Sequence, residues 1–352
     1  MKRSLQRFLR RRGASDTEID NAERSRYLAL LVLDREILPG ARRYTMAELA
    51  QRGETDLDTA RAVWRAIGFP DFPDDLPAFT DSDVSAMRSF IETFSHPMVI
   101  EWSLDVALSQ ARVVSSALAR IADAVTDDIA RSFRAAADAG MTDEDLAQRL
   151  AERVDFEAIQ ELVGHVFRVQ LRAAVWRRLA GSDPEAPGTV RGAVGFVDLV
   201  GYTAIAEELD DEDLAKLLSR FGDLAHDTVV AGGGRIVKTI GDEVMFVTDT
   251  EAAAAAIAVK LTERSIGDDV LPETRAGIAA GHLVAREGDY FGPVVNLAAR
   301  LTEFARPGTV LAPAELGAAL EHDDRFVIRR VSSRRIRDIG RVEVCTIAGM
   351  LI

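Results

Sequence analysis

Residues 193–203 read AVGFVDLVGYT, and residues 238–246 read KTIGDEVMF. In the first, an apolar run stops at an acid, passes a glycine and opens into a helical pattern, which puts Asp198 at the end of a buried strand facing a helix start. The second belongs to two strand-like runs, GGGRIVKTI and EVMFVT, joined at Gly241 and Asp242. Gly-Asp between two such runs is a tight hairpin signal and places a second carboxylate at a strand edge. Carboxylates at two neighbouring strand ends can hold a pair of hard divalent ions. Mg²⁺ takes few protein carboxylates and leaves its other positions to water and substrate phosphates.

Working outward, the carboxy-terminal half continues as a helix over 203–230, the hairpin, an alanine-rich helix over 251–264, a strand over 275–282, a helix over 294–304, and strands near 309–311, 326–331 and 343–347. The order is β-α-β-β-α-β with additions, an α+β ferredoxin-like sandwich. Residues 181–190, rich in Gly, Pro and Ser, read as a linker between a domain over 1–180 and one over 191–352.

The first half is helical throughout, with caps expected at Asp16, Thr45, Asp56 and Thr142. Residues 44–70 have a helix-turn-helix outline, but the second helix offers two arginines against two aspartates, so it is read as packing rather than base recognition. Residues 103–134 keep a seam of apolar and small residues that should bury itself against another helix, in this chain or a second one. His165 lies in a long amphipathic helix over 156–179 that precedes the linker.

The 352 residues leave material for two cores, and the net charge of -14 argues against a duplex nucleic acid partner. No apolar stretch approaches the roughly 20 residues that span a bilayer. The basic start, MKRSLQRFLRRR, lacks the apolar core of a secretory signal. The single cysteine, Cys345, sits in a strand-like VEVCTIAG and reads as a small buried hydrophobe, in keeping with a reducing cytoplasm.

FVDLVGYT, KTIGDEVMF and DYFGPVVNLAAR, in this order and roughly 40 to 50 residues apart, resemble the signature segments of the class III adenylyl/guanylyl cyclase catalytic domain. The likeness covers about residues 191–349. The helical half more loosely resembles the regulatory domain found ahead of this domain in some actinobacterial cyclases. The resemblance implies that Asp198 and Asp242 hold two Mg²⁺ or Mn²⁺ ions, with the backbone carbonyl of Leu199 as a further ligand candidate. The backbone amides of residues 200–203, Gly201, Tyr202 and Thr203 among them, would hold the triphosphate tail. Lys238 and Asp289 would read the base. An ammonium donates to adenine N1 while a carboxylate accepts from its N6 amine, and guanine would oppose both, so ATP is the expected substrate.

Asn296 and Arg300 stand four apart on one helix face. In the family this Asn orients the ribose and this Arg stabilises charge on the α-phosphate. Arg337 falls where the family has a phosphate-binding lysine. The family also divides these residues between two catalytic domains, so a chain with one copy of each set is expected to work as a homodimer with two shared sites. Proton or lipid input through the helical half is expected to regulate it. Two alternatives stay open: a degenerate nucleotide-binding scaffold, and a transcription regulator using residues 45–68.

Overall fold

A computed structural model of the chain describes residues 2–95, 103–153, 156–180, 189–266, 268–336 and 339–350. The helical half comprises α1 (Lys2–Arg11), α2 (Asp16–Ser25), α3 (Leu28–Ile37), α4 (Met46–Arg52), α5 (Leu57–Ala66), α6 (Asp81–Ser95), α7 (Leu104–Asp138), α8 (Asp143–Arg153) and α9 (Phe156–Ala180). Then follow β1 (Thr189–Leu199), α10 (Tyr202–Glu208), α11 (Asp211–Ala231), β2 (Arg235–Ile240), β3 (Glu243–Thr248), α12 (Glu251–Ile266), β4 (Thr274–Arg286) and β5 (Asp289–Phe291). The chain closes with α13 (Pro293–Phe304), β6 (Val310–Pro313), α14 (Ala314–Ala319), β7 (Phe326–Ile336) and β8 (Gly340–Gly349). It forms two compact units, Met1–Gln170 and Leu171–Ile352, so the division falls inside α9; residues 181–188 of the expected linker lie outside the described residues.

In the first unit the helix starts follow from their caps. Ser15, not the expected Asp16, caps α2 and shares a reciprocal box with Glu18; Thr45 and Glu48 do the same for α4. Asp56 caps α5, and Thr142 accepts from the Asp145 amide. Each such cap satisfies amides that a helix start leaves without partners, a contribution of about 1 kcal/mol. The start of α3 has no local side-chain cap. Instead Asp143 at the head of α8 accepts from the Leu28 and Ala29 amides at 2.7 and 3.1 Å.

One small core gathers Leu5, Leu9, Ile19, Val32 and Ala147 from α1, α2, α3 and α8. A second surrounds Phe79, whose ring meets Trp64 of α5 edge-on at 4.9 Å. The helix-turn-helix outline at α4 and α5 is therefore a packing element: Trp64 sits in this aromatic cluster, and Arg61 and Arg65 are paired with Asp74 and Asp71. On α7 only Ala107 is buried; the seam residues Val114, Leu118, Ile121 and Val125 are exposed in the single chain. The expectation that this seam buries itself is not met within one chain.

In the second unit the sheet runs β2-β3-β1-β4-β6-β8-β7, with β5 paired to β4. Strand β1 is central and antiparallel to both β3 and β4. The order β4-β1-β3-β2 follows from two crossovers through helices and one hairpin, and makes the core an α+β ferredoxin-like sandwich, as expected. Side chains alternate along β1. Ala193, Val197 and Leu199 pack with Phe221 and Leu224 of α11 and with Ile257 and Leu261 of α12 on one face. Val194 and Phe196 face Val295 and Ala298 of α13 on the other.

The helix expected over 203–230 is two helices, because Leu209 is extended and Asp210 restarts the chain as the cap of α11. Short elements β5 and α14 are additions to the expected list. Cys345 is buried in β8 against Ala312 and Pro313, and burial pushes its thiol upward from the usual range.

The seat of α13 depends on Gly277 of β4. A Cβ there would lie 2.3 Å from the Thr302 amide nitrogen and 2.4 Å from the Ala298 carbonyl oxygen, both backbone atoms of α13. Thr302 Oγ1 also bonds the Phe196 carbonyl of β1 across this contact. Gly277→Ala should therefore push the helix off the sheet and destabilise the chain by roughly 1–3 kcal/mol, read as a lowered denaturation midpoint in urea.

Candidate active site

Asp198 ends β1 at a position opposite Glu243 of β3 on one side and Arg275 of β4 on the other. Directly opposed residues of antiparallel strands share a sheet face, and here that face is the one α13 covers. The guanidinium of Arg275 donates through Nε and Nη2 to Asp198 Oδ2 at 2.8 and 2.6 Å, and through Nη1 to the Glu303 carbonyl at the end of α13 at 3.2 Å. The Asp198 side chain is only 15% exposed, so a strong partner is required.

Asp242 occupies the turn between β2 and β3, which Gly241 closes with φ of 62°, a conformation glycine adopts without penalty. The Leu199 amide donates to the Asp242 carbonyl at 3.3 Å, which fixes the end of β1 against this turn. Burial raises the Asp242 carboxyl above the usual range, and the adjacent Asp198 carboxylate adds to the rise. Glu243 is pushed up to about 7, first by burial and then by Asp198, Asp242 and Glu303, with Arg275 opposing. Hard oxygen donors that repel one another in this way are a fitting seat for a divalent cation. Among the described residues no three such side chains cage an ion by themselves. Asp198, Asp242 and the Leu199 carbonyl are the groups at this edge that could hold such an ion.

Lys238 of β2 and Asp289 of β5 are brought together, Nζ to Oδ2 at 2.5 Å. Asp289 Oδ1 also accepts from the Tyr290 amide at 2.7 Å, and Arg235 donates to the Tyr290 hydroxyl at 3.0 Å. Residues 51 apart in sequence meet here because β5 folds back along β4. On α13, Asn296 is exposed and Arg300 is half-exposed, its Nη1 paired with Glu303 Oε1 at 2.6 Å. Among the described residues no hydrogen bond or ion pair joins the Asp198 group to the Lys238–Asp289 pair.

Gly201 precedes the short α10 with φ of 74°. The Val200 amide is committed to the Glu273 carbonyl at 2.9 Å. Of the four amides expected to meet the triphosphate, those of Gly201, Tyr202 and Thr203 remain candidates and that of Val200 does not. Arg337 lies outside the described residues.

Sequence reasoning missed Arg275 and Glu243. The only signal for Arg275 is its place at the head of the strand RAGIAAGH, which becomes informative once β4 is known to lie beside β1.

The site thus offers a carboxylate near the end of the central strand with a second in the adjoining β2–β3 turn, and separately an ammonium–carboxylate pair joining β2 and β5. The profile of the adenylate and guanylate cyclase catalytic domain matches residues 189–348. An adenylate cyclase of Glutamicibacter nicotianae is 33% identical over 336 residues, 88% of this chain and 80% of that one. One of Streptomyces coelicolor is 35% identical over 292 residues, covering 83% and 75%. The solved structure of the adenylyl cyclase CyaB from P. aeruginosa is 25% identical, with a TM-score of 0.41, over 46% of this chain and 97% of that chain. The chain belongs to the class III adenylate and guanylate cyclase family. Members of this family use divalent metal ions and bind a nucleotide substrate. No helix among the described residues is long and apolar enough to cross a membrane.

The raised Glu243 carboxyl fixes a pH dependence. In the folded chain it holds its proton up to about pH 7, against an unfolded value of 4.5. Its contribution to stability is therefore complete below the unfolded value and is lost as pH rises through about 7. In EDTA, Glu243→Gln should match the wild type near pH 4 and exceed it at pH 8 by roughly 1 kcal/mol, a figure discounted for partial exposure. Urea denaturation at the two pH values measures the difference.

Proposed function

We propose that the chain is an adenylate cyclase, converting ATP to 3',5'-cyclic AMP and diphosphate as a homodimer with two shared sites. The observation that carries the reading is the hydrogen-bonded Lys238–Asp289 pair, one donor and one acceptor matched to adenine N1 and N6. That the relatives named above are adenylate cyclases supports it. Asp198 and Asp242, with the Leu199 carbonyl, would hold two ions, Mg²⁺ or Mn²⁺. When bound, such a pair lowers the pKa of the ribose 3'-hydroxyl and neutralises the polyphosphate.

The chain's own residues do the rest. Lys238 and Asp289 seat the base, and Asn296 positions the ribose. The amides of Gly201, Tyr202 and Thr203 hold the tail. Arg300 stabilises charge on the α-phosphate as the 3'-oxygen bonds to it in line, the bridge to the β-phosphate breaks and diphosphate leaves. Arg337 is assigned to the phosphates on the resemblance alone. Arg300 must leave Glu303 to do this, since the two are paired on their own helix. Asp198 and Asp242 of one copy work with Lys238, Asp289, Asn296 and Arg300 of the other.

Residues 1–180 form the regulatory domain in this reading, with 181–190 as the linker to the catalytic domain over 191–352. His165 is exposed on α9, so solvent reaches its imidazole, which suits proton input. The exposed apolar residues of α7 suit a lipid.

The test of the shared site is complementation. Asp198→Ala and Arg300→Ala homodimers should each lose cyclase activity by about 10²-fold or more. Mixed and allowed to exchange, they should recover activity, because both defects of a heterodimer fall in one site and leave the other whole. Demonstrated heterodimers that stay as inactive as their parents would refute the shared site. For the regulatory domain, a chain of residues 188–352 should differ severalfold in specific activity from the full chain and respond less to pH. Identical pH profiles, with both dimeric, would leave the helical half without a regulatory role.

A further inference from the structure

We propose that Arg275 is the resident counter-cation of the metal-side carboxylates: its guanidinium holds Asp198 where a divalent ion would bind, must give way for that ion, and so sets the metal concentration at which the site fills. The inference rests on the reading of Asp198 and Asp242 as metal ligands.

The geometry is specific. Both Nε and Nη2 converge on the single oxygen Oδ2 at 2.8 and 2.6 Å, a position a metal ion at Asp198 would contest. The charge balance explains why a cation is there. Asp198 acts on Asp242, and Asp198, Asp242 and Glu303 act on Glu243, at this edge of the sheet, and Arg275 is the cation opposing them at Asp242 and Glu243. The neighbouring Arg300 is occupied by Glu303. Without Arg275 the metal-free site would hold a nearly buried Asp198 carboxylate with no counter-charge.

A guanidinium stays charged throughout the physiological pH range, so this competition cannot be relieved by deprotonation, and only displacement clears Asp198. The third contact gives the displaced group somewhere to go. Nη1 is already bonded to the Glu303 carbonyl at the C-terminal end of α13, where the helix dipole favours a cation. A structural salt bridge would lose stability when broken; a competing cation would, when removed, let metal bind more tightly. The two roles thus predict opposite signs for metal affinity.

The test is a titration of the full-length chain with Mn²⁺, followed by the electron paramagnetic resonance signal of the free ion, at low ionic strength and without nucleotide. Arg275→Gln should bind Mn²⁺ about tenfold more tightly than the wild type, the scale set by removing one positive charge next to a partly exposed ion. Arg275→Lys keeps the charge but loses the fork, and should tighten binding less. Misfolding cannot imitate this result, because an unfolded chain loses the site rather than improving it. Should Arg275→Gln not fold, tighter binding by Arg275→Lys still supports the proposal, and unchanged or weaker binding overturns it. Equal titrations for wild type and Arg275→Gln, whether both bind or neither does, overturn it too, as does equal tightening by both variants. Asp198→Asn serves as the control. Its loss of Mn²⁺ binding together with an unchanged Arg275→Gln would refute the counter-cation while sparing the metal ligands. Wild-type binding by Asp198→Asn would instead refute the metal assignment and this proposal with it.

Discussion

At the end of β1 a nearly buried carboxylate, Asp198, is held between an acid on one neighbouring strand and a guanidinium on the other. Much of the catalytic unit follows from that constraint. Antiparallel pairing on both sides of β1 gives Glu243, Asp198 and Arg275 a common face, so their charges interact at short range in a poorly solvated place. Burial and then the neighbouring acids raise Asp242 and Glu243, the arginine offsets the rise, and the end of α13 supplies Arg275 with a second acceptor. The sheet therefore presents a concentration of negative charge, and within the chain the cation that answers it is Arg275.

Helix α13 ties this edge to the residues assigned to ribose and phosphate. It lies close on β4 because Gly277 has no side chain, and it bonds β1 through Thr302. Its last turn carries Glu303, which accepts from Arg275 through its backbone and from Arg300 through its side chain. In a dimer with shared sites, Asp198 and Arg300 of one chain serve different sites. The short path through Arg275 and Glu303 then lies between the two halves of a pair of active sites.

The helical unit is stabilised differently. It has two modest cores, several side-chain caps and two partly buried ion pairs, Arg35–Glu18 between α3 and α2 and Arg12–Glu36 between the turn after α1 and α3. Long stretches of α7 and α9 leave apolar residues such as Ile121, Leu162 and Trp176 in solvent. Helices of this length draw most of their stability from packing an apolar face, and in one chain these faces stay largely open.

The helical first half, the hairpin closed by Gly241 and Asp242, and the placement of Asp198 at a strand end were legible in the sequence because each rests on local chemistry. Periodicity, caps and turn residues act over a few positions. The break at Asp210 was also local, a run of acids at a helix start, but it was hidden inside a continuous helical pattern. The pairing of Lys238 with Asp289 was legible only through resemblance, since nothing local joins residues on β2 and β5. Arg275 and Glu243 were not legible at all. Their role depends on which strands flank β1 and in what register, and register is fixed by burial across the whole sheet rather than by either strand alone. The sequence by itself determined which side chains could do chemistry and on which elements they ride. Only the tertiary structure decided which charges face one another, because electrostatic partnership depends on distance in space and on exclusion from water, and both are set by packing.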